Sequence, residues 1–452
     1  MRGLFEIANS GLRTAERALT ATSNNIINAD TPGYTRQRID RAPVGMSMGG
    51  YHTGLGVNIT DLTRMRNEMN DVMLNEKRQD YSYMDNKNMV FQQLEAVMTT
   101  DTGNDLDMNI SNVLDSFSEL SSNPQDISVR NSLVSYAEQL TSKFRSLSQS
   151  LDRQSELTRE GAYQSVDTVN QILKDIQSLN ESITQAETAG EADNTALDLR
   201  VRKLQELSDW IGFDTQNNGK GGVEIRVGGI VLLDEDTIQP LTTEVDDGNK
   251  TFRLRLESGL EIETSGGKLG AEIDLYQQDI LALKQQLDDL AASVVQSLNG
   301  VHSSGFGIED TVNRAFFDPS FTTASTISVS QNILDNPLHI AASDVAGEAG
   351  NGELAAQIAD LRNQPLVNGS RFVDYAIELI SAPGTEVNAL NAQMEARDAE
   401  IQLLNAQQEN EAGVNVDEEL SLMIRFQNSY QAAAQVLTTA QEMYDTLIGI
   451  LR

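Results

Sequence analysis

The stretch NIINADTPGYTRQ, residues 25–37, ends a helical pattern abruptly. Asp30 and Thr31 favour turns, Pro32 cannot continue a helix, and Gly33 permits positive φ. The 25 residues before it form an amphipathic pattern. Phe5, Leu12, Leu19 and Ile26 recur every seven residues, and Ala8, Ala15 and Thr22 follow the first three of them by three. This is an a/d seam with small d positions, which lets a partner helix approach closely. The far end of the chain carries a matching seam. Leu422, Phe426, Ser429, Ala433, Val436, Ala440, Met443, Leu447 and Ile450 fall at spacings of four and three, and Leu437, Tyr444 and Leu451 widen the face. Asn415 is placed to cap this helix, with Glu418 three residues on as in a capping box. A helix over 416–451 would be about 54 Å long. Each seam has more apolar face than one partner helix covers.

Between the two seams the period changes several times. Residues 35–61 read as extended pieces around Gly49, Gly50, Gly54 and Gly56. Helical spacing resumes over about 67–98, breaks at TTDTGND, and returns over about 107–121, ending at Pro124. A long polar helix follows over about 127–188, with a sparse apolar stripe suited to a bundle. A shorter helix covers 195–210. GVEIRVGGIVLLDEDT and KTFRLRLESGLEIET alternate apolar and polar residues and read as two β-hairpins over about 222–264. Helix returns over about 268–298. A turn-rich segment, 301–352, contains a strand at TISVS. Helices over 353–362 and 371–410 precede the last seam.

The chain has 452 residues and a net charge of −34, which disfavours nucleic acid and anionic lipid as partners. It has no cysteine, so disulfides, thiol catalysis and cysteine metal sites are excluded. No run of 18 apolar residues is present to span a membrane. The N-terminus lacks the apolar core of a cleavable signal, so any export is expected to use an uncleaved chain. Catalytic motifs are absent. His52, His302 and His339 lie in no metal-binding spacing and read as solvated or capping histidines. SGGKLG at 265–270 lacks the upstream Gly and the Ser or Thr of a phosphate loop and reads as a strand-to-helix turn. Asp234-Glu235-Asp236 lacks the Gly and closing Glu of a calcium loop. No catalytic residue, metal or cofactor is expected, and the chain reads as a non-enzyme. The surplus apolar face at both ends favours a polymer subunit over a cytosolic coiled-coil scaffold or an enzyme housed in the β insert.

Residues 25–37 also resemble the signature of the axial proteins of the bacterial flagellum, the rod, hook and hook-associated proteins. The motif positions are Asn25, Asp30, Thr31, Pro32, Gly33, Tyr34 and Arg36. VNVDEEL at 414–420 and IRFQNSYQAAAQVLTTAQEMYDTLIGIL at 424–451 are similar to the end of the FlgK type of hook-associated protein. ALDLRVRKLQELSDWIG, SGGKLGAEIDLYQQDIL, ILDNPLHIAASD and NGELAAQIADLRN resemble interior segments of that type, rather than of hook or rod relatives. The resemblance implies a mainly α, flagellin-like fold of discontinuous domains with a β-rich insert. The terminal helices, 1–33 and 414–452, would pair as a coiled coil forming the innermost tube. A long-helix bundle, 34–205 and 268–413, would stand next to it, with a β-hairpin linker at 34–61 and the turn-rich segment 301–352. A β-rich outer domain would cover 206–267. The implied role is a structural ring at the hook–filament junction, exported by the flagellar type III apparatus. The implied partners are hook protein, the second junction protein, further copies of the chain, and a dedicated chaperone on the C-terminal helix. The N-terminal assembly face would be Phe5, Leu12, Leu19 and Ile26. The C-terminal assembly and chaperone face would be Leu422, Phe426, Tyr430, Ala433, Val436, Leu437, Ala440, Met443, Tyr444 and Leu447. The segment 301–352 is short where many relatives carry a large outer domain, which implies a slimmer subunit.

Overall fold

A computed structural model describes residues 2–48, 51–99, 105–190, 192–217, 219, 221–234, 237–246, 248–309 and 312–450. The expected turn at Gly49-Gly50, most of the break at TTDTGND, Glu235, Asp236 and Leu451 lie outside them, as does the His52 side chain. The elements run in the order α1 (Arg2–Ile27), β1 (Gln37–Met48), β2 (Tyr51–Arg64), α2 (Glu68–Met98), α3 (Leu106–Ser122), α4 (Ile127–Thr188) and α5 (Asn194–Trp210). There follow β3 (Asp214–Asn217), β4 (Val223–Val227), β5 (Ile230–Leu233), β6 (Leu241–Asp246), β7 (Thr251–Leu256) and β8 (Glu261–Ile262). The last helices are α6 (Gly267–Asp274), α7 (Ile280–His302), α8 (Gln331–Asp335), α9 (Glu353–Asp360), α10 (Phe372–Ala412) and α11 (Val416–Ile450). The chain is thus mostly helical with small antiparallel sheets. It divides into two compact units, residues 1–79, 169–240 and 397–452 in one, and 80–168 with 241–396 in the other.

In the first unit α1 and α11 lie antiparallel. The Phe5 and Tyr444 rings meet edge to face at 6.4 Å, and a Cβ added at Gly11 would lie 3.3 Å from that of Ala433. At the other end Asn25 bonds to Glu419. The small residues Ala8, Thr14, Ala15, Ala18, Ala21 and Thr22 are buried, so the close approach comes from the d positions and their neighbours. The β1–β2 hairpin runs along α1. Gly56 has φ +111° and a Cβ there would come within 2.0 Å of Ser10 Oγ, so only glycine fits. The hairpin has register shifts at Asp40/Arg41 and Val44/Gly45, which increase its local twist. The sheet β3-β4-β5 is held to α4 by Asn180, whose amide donates to the Val223 carbonyl (2.9 Å) and accepts from its N–H (3.2 Å). On α2, Gln79 pairs with both backbone groups of Phe213 in the same manner, at 3.0 and 3.3 Å.

The second unit is built on one apolar core shared by parts of α2, α3, α4, α7, α9 and α10. Phe117, Phe316 and Phe317 stack edge to face at its centre, with centroids 5.0–5.2 Å apart. Asn299 on α7 fastens the loop carrying those rings, accepting from the N–H groups of Phe316 and Phe317 and donating to the Phe317 carbonyl. Arg130 is fully buried and donates to the carbonyls of Pro124 and Ile340. Desolvation lowers its pKa to about 10. Glu272 of α6 is buried beside Ser165 and Gly161 of α4, with Lys268 Nζ 3.7 Å away. Burial pushes its carboxyl up to about 7.

Four sequence expectations need correction. The alternating stretch folds as two separate three-stranded sheets, β3-β4-β5 and β6-β7-β8, not two hairpins. The chain passes from the first unit to the second between them, at Pro240 and Leu241. TISVS forms no strand; it contributes one bridge, Val329 to Phe317, because its neighbours are turns that present no second strand. The helix expected over 268–298 is interrupted by a π-turn at Leu275–Asp279. His302 is not solvated. It is buried in the core, where Nδ1 meets the Arg314 carbonyl at 2.7 Å and Nε2 accepts from the Ala341 N–H at 2.9 Å. Burial depresses its pKa to about 4, which keeps it neutral.

Candidate functional site

The chain turn after α1 is held by one side chain, Asn25, which is 1% exposed. Its Nδ2 donates to the Gln37 carbonyl (2.9 Å) and to Glu419 Oε2 (3.1 Å). Its Oδ1 accepts from the Gln37 N–H (3.0 Å) and from the Tyr34 hydroxyl (2.9 Å). Two donors and two acceptor sites are therefore all used. The amide substitutes for a strand partner at Gln37 and closes the loop 28–36. Within that loop Tyr34 N–H donates to the Thr31 carbonyl at 3.1 Å, with Pro32 and Gly33 between. Gly33 has φ +76°, giving a turn of type II, with Pro and Gly in its preferred places.

Ion pairs anchor the turn to distant parts of the first unit. Arg36 reaches Glu419 at 2.8 Å and Glu418 at 3.3 Å, while its N–H donates to the Ala412 carbonyl at 3.0 Å. Glu419 is buried, and Arg36 supplies the charge that makes its burial tolerable. Thr35 is fully buried; its hydroxyl donates to Asp198 Oδ1 at 2.7 Å, and Arg64 pairs with the same carboxylate. Arg66 forms a fork on Asp71 at 2.6 and 2.7 Å. Burial, with Asp198 and Glu419 nearby, pushes the Tyr34 phenol up to about 12, so it remains a donor at physiological pH.

The sequence-derived positions separate by burial. In the turn motif Asn25 is buried, Tyr34 and Arg36 are half-buried, and Asp30, Thr31, Pro32 and Gly33 are exposed. On α1 the large residues Phe5, Leu12, Leu19 and Ile26 are half-buried along the flank of the pairing face, while the small ones form its centre. On α11, Phe426 and Ala440 are buried, and Leu422, Ala433 and Leu437 half-buried. Tyr430, Val436, Met443, Tyr444 and Leu447 are 42–49% exposed. Asn415 caps α11, accepting from the N–H groups of Asp417 and Glu418 at 3.0 and 3.3 Å. The Glu418 side chain turns instead to Arg36.

Sequence reasoning missed Glu419, Thr35, Arg64 and Asp198. Glu419 had a signal: it lies three residues before Leu422, on the apolar stripe itself, where a charge requires a partner. Asp198 had none, being one acid among 67. An open polar groove of about 790 Å³ adjoins the turn, lined by Tyr34, Arg36, Arg66, Arg202, Gln408 and Glu418 among others. Among the described residues no group of three or more His, Asp and Glu could hold a metal ion, and no helix is long and apolar enough to cross a membrane. The arrangement fixes the direction of the chain leaving α1 and presents apolar helix faces; it gathers no nucleophile and base.

Comparison with known proteins agrees with this geometry. Residues 91–317 match the family model described as the flagellar hook-associated protein FlgK helical domain. Residues 5–35 match that of the flagella basal body rod protein, and 407–450 that of the flagellar basal body rod FlgEFG protein C-terminal region. The chain is 26% identical to flagellar hook-associated protein 1 of Bacillus subtilis, over 98% of this chain and 97% of the relative. It is 24% identical to the protein of the same name from Salmonella typhimurium, covering both chains fully. That alignment runs over 555 positions, more than the 452 residues here, so the Salmonella protein carries segments this chain lacks. The fold is similar to a solved structure described as the flagellar hook junction protein FlgK from Burkholderia pseudomallei, with TM-score 0.63 and 14% identity, covering 74% of this chain and 99% of that one. With its interior matching the helical-domain model over half its length and its ends matching the two rod-protein models, the chain belongs to the FlgK family of flagellar hook-associated proteins, structural components of the flagellum.

Proposed function

We propose that the protein is the structural subunit joining hook to filament and that its copies assemble as a ring through α1 and α11. One observation carries this reading: the apolar face of α11 continues past what α1 covers. Tyr430, Val436, Met443, Tyr444 and Leu447 stay 42–49% exposed within one helix pair. A row of large apolar side chains open to water is costly in an isolated chain and suits a surface that neighbouring copies cover. In this reading 1–33 and 414–452 pair as a coiled coil in the innermost tube. Export proceeds through the flagellar type III apparatus without cleavage, and a dedicated chaperone covers the α11 face in the cytosol. Hook protein and the second junction protein are the neighbours, the protein is no enzyme, and its working place is outside the cell. The type II turn and the Asn25 clasp then set the angle at which each copy leaves the tube.

The experiment replaces Val436, Met443 and Leu447 with Asp in a flagellated host lacking its own copy. Exposed positions cost little stability, so the purified variant should keep its thermal unfolding profile. It should be absent from sheared flagella and the cells non-motile. Normal filaments on these cells would refute the reading.

A further inference from the structure

At the root of α11, two guanidinium groups stack over the Phe426 ring. Arg41 of β1 lies 5.3 Å from the ring centroid and Arg425 lies 5.4 Å from it. Phe426 is 9% exposed, while both arginines are exposed. Stacking on a ring face holds the two cations in place. The other arginines nearby are satisfied internally: Arg36 by Glu418 and Glu419, and Arg38 by Asp40 at 3.0 Å. Among the described residues Arg41 and Arg425 have no carboxylate partner. They line a groove of about 260 Å³ between α1, β1 and α11, whose apolar floor includes Ile39 and Leu422.

The complementary surface is at the other end of the same helix. Residues 441–450 are all exposed, with the Tyr444 ring meeting Phe5 of α1 on one side. Glu442 and Asp445 project there with Met443, Tyr444 and Leu447 beside them. Seventeen residues of helix separate Arg425 from Glu442, about 26 Å of a rigid rod. The tip of α11 therefore cannot reach the groove at its own root.

We infer that the Arg41–Phe426–Arg425 groove receives the Glu442 and Asp445 carboxylates from the α11 tip of a second copy of this chain. This rests on the proposed assembly through α1 and α11 and specifies its partner and polarity. The contact is heterologous, root to tip, so each copy offers one free groove and one free tip. Such contacts propagate into rings or helical stacks instead of closing as two-fold dimers. Charge fixes which end meets which and disfavours tip-to-tip pairing. The apolar residues on both surfaces supply the burial.

The test uses the full chain in a flagellated host without its own copy. One variant carries Arg41→Glu with Arg425→Glu, a second carries Glu442→Arg with Asp445→Arg, and a third carries all four. The second touches only exposed helix surface, so it remains informative even if the first unfolds. Chain in the culture medium reports export, and chain in sheared flagella reports incorporation. Each charge reversal alone should lower incorporation about tenfold or more with export retained, and the fourfold exchange should restore it. Normal incorporation of the second variant, or a fourfold variant no better than the two doubles, overturns the inference. A chain lacking 416–450 serves as the reference for the underlying reading. If it too is incorporated, assembly through α11 itself is wrong; if only the reversals are incorporated normally, this contact alone is wrong.

Discussion

Asn25→Ala would remove four hydrogen bonds and leave their partners inside the first unit. Those partners are both backbone groups of Gln37, the Tyr34 hydroxyl and Glu419. A neutral bond contributes about 1 kcal/mol and a bond to a charged group about 1.5–3 kcal/mol, so the sum approaches 5 kcal/mol. The groove beside Tyr34 and Arg36 admits water to some of the freed groups, which brings the expected cost to about 3 kcal/mol. The loss is local, because the clasp holds the loop 28–36 and not the core of either unit. The informative reporters are the amides of Arg36 and Met65. They bond to the Ala412 and Arg36 carbonyls and never touch Asn25. Their hydrogen exchange, followed by mass spectrometry on short peptides, should accelerate about a hundredfold, since each 1.4 kcal/mol is a factor of ten. Asn28→Ala is the control. It lies in the same stretch but is part-exposed; its Nδ2 donates to the Asn24 carbonyl one turn back, its Oδ1 accepts from the Thr31 hydroxyl at 3.3 Å, and it bonds to neither Gln37 nor Glu419. Exchange at those two amides within about threefold of the unaltered protein would refute the clasp as the origin of the turn.

Gly33→Ala should cost about 1 kcal/mol from the φ of +76° alone, and it also brings a methyl within 2.8 Å of the Arg202 side chain; a urea midpoint unchanged from the unaltered protein would count against the type II turn. Glu272 makes stability depend on pH. Its carboxyl is raised from 4.5 to about 7 in the folded chain, so between those values the folded state keeps a proton that the unfolded state has released. Its contribution is full below about pH 4.5 and falls by up to about 1.4 kcal/mol per pH unit as pH rises to about 7. Glu272→Gln should therefore raise the urea midpoint at pH 8 and flatten its fall between pH 5 and 7; a variant with the same slope as the parent would locate the dependence elsewhere. Gly11→Leu should push α1 away from Ala433, whose Cβ lies only 3.3 Å from the place a Cβ at position 11 would take, at a cost of about 1–3 kcal/mol from overpacking. Circular dichroism melting of this variant against the parent would measure it, and an unaltered profile would argue against the close helix pair.

Element placement was legible in the sequence wherever one face of a long helix is apolar. The ends of α2, α3, α4, α5, α10 and α11 fall within a residue or two of those read from spacing and turn residues. Spacing failed where neighbours decide. TISVS alternates like a strand yet has only Phe317 to pair with, and the apolar stripe of α6 and α7 continues through a π-turn without a mark in its composition. His302 illustrates the same limit, since the core around Phe316 and the Arg314 and Ala341 backbone make it a buried neutral group.

At the site the division has a clear physical reason. Pro32 and Gly33 restrict or free their own backbone torsions, so their effect is local and readable from the chain alone. The heptads of α1 and α11 repeat with the helix turn, so which side is apolar is also determined locally. The resemblance marks Asn25 without saying what it bonds, and nothing local distinguishes Asp198 from the other acids. An amide or carboxylate acquires its role only from the groups that folding brings to it: Gln37 and Glu419 for Asn25, Val223 for Asn180, Phe213 for Gln79, and Thr35 with Arg64 for Asp198. The sequence by itself determined where the chain is helical, where it must turn and which faces are apolar. Only the tertiary structure decided which polar side chains hold the turn and how much of each apolar face is left open, because both depend on partners that folding brings together, from Gln37 just past the turn to Glu419 near the far end of the chain.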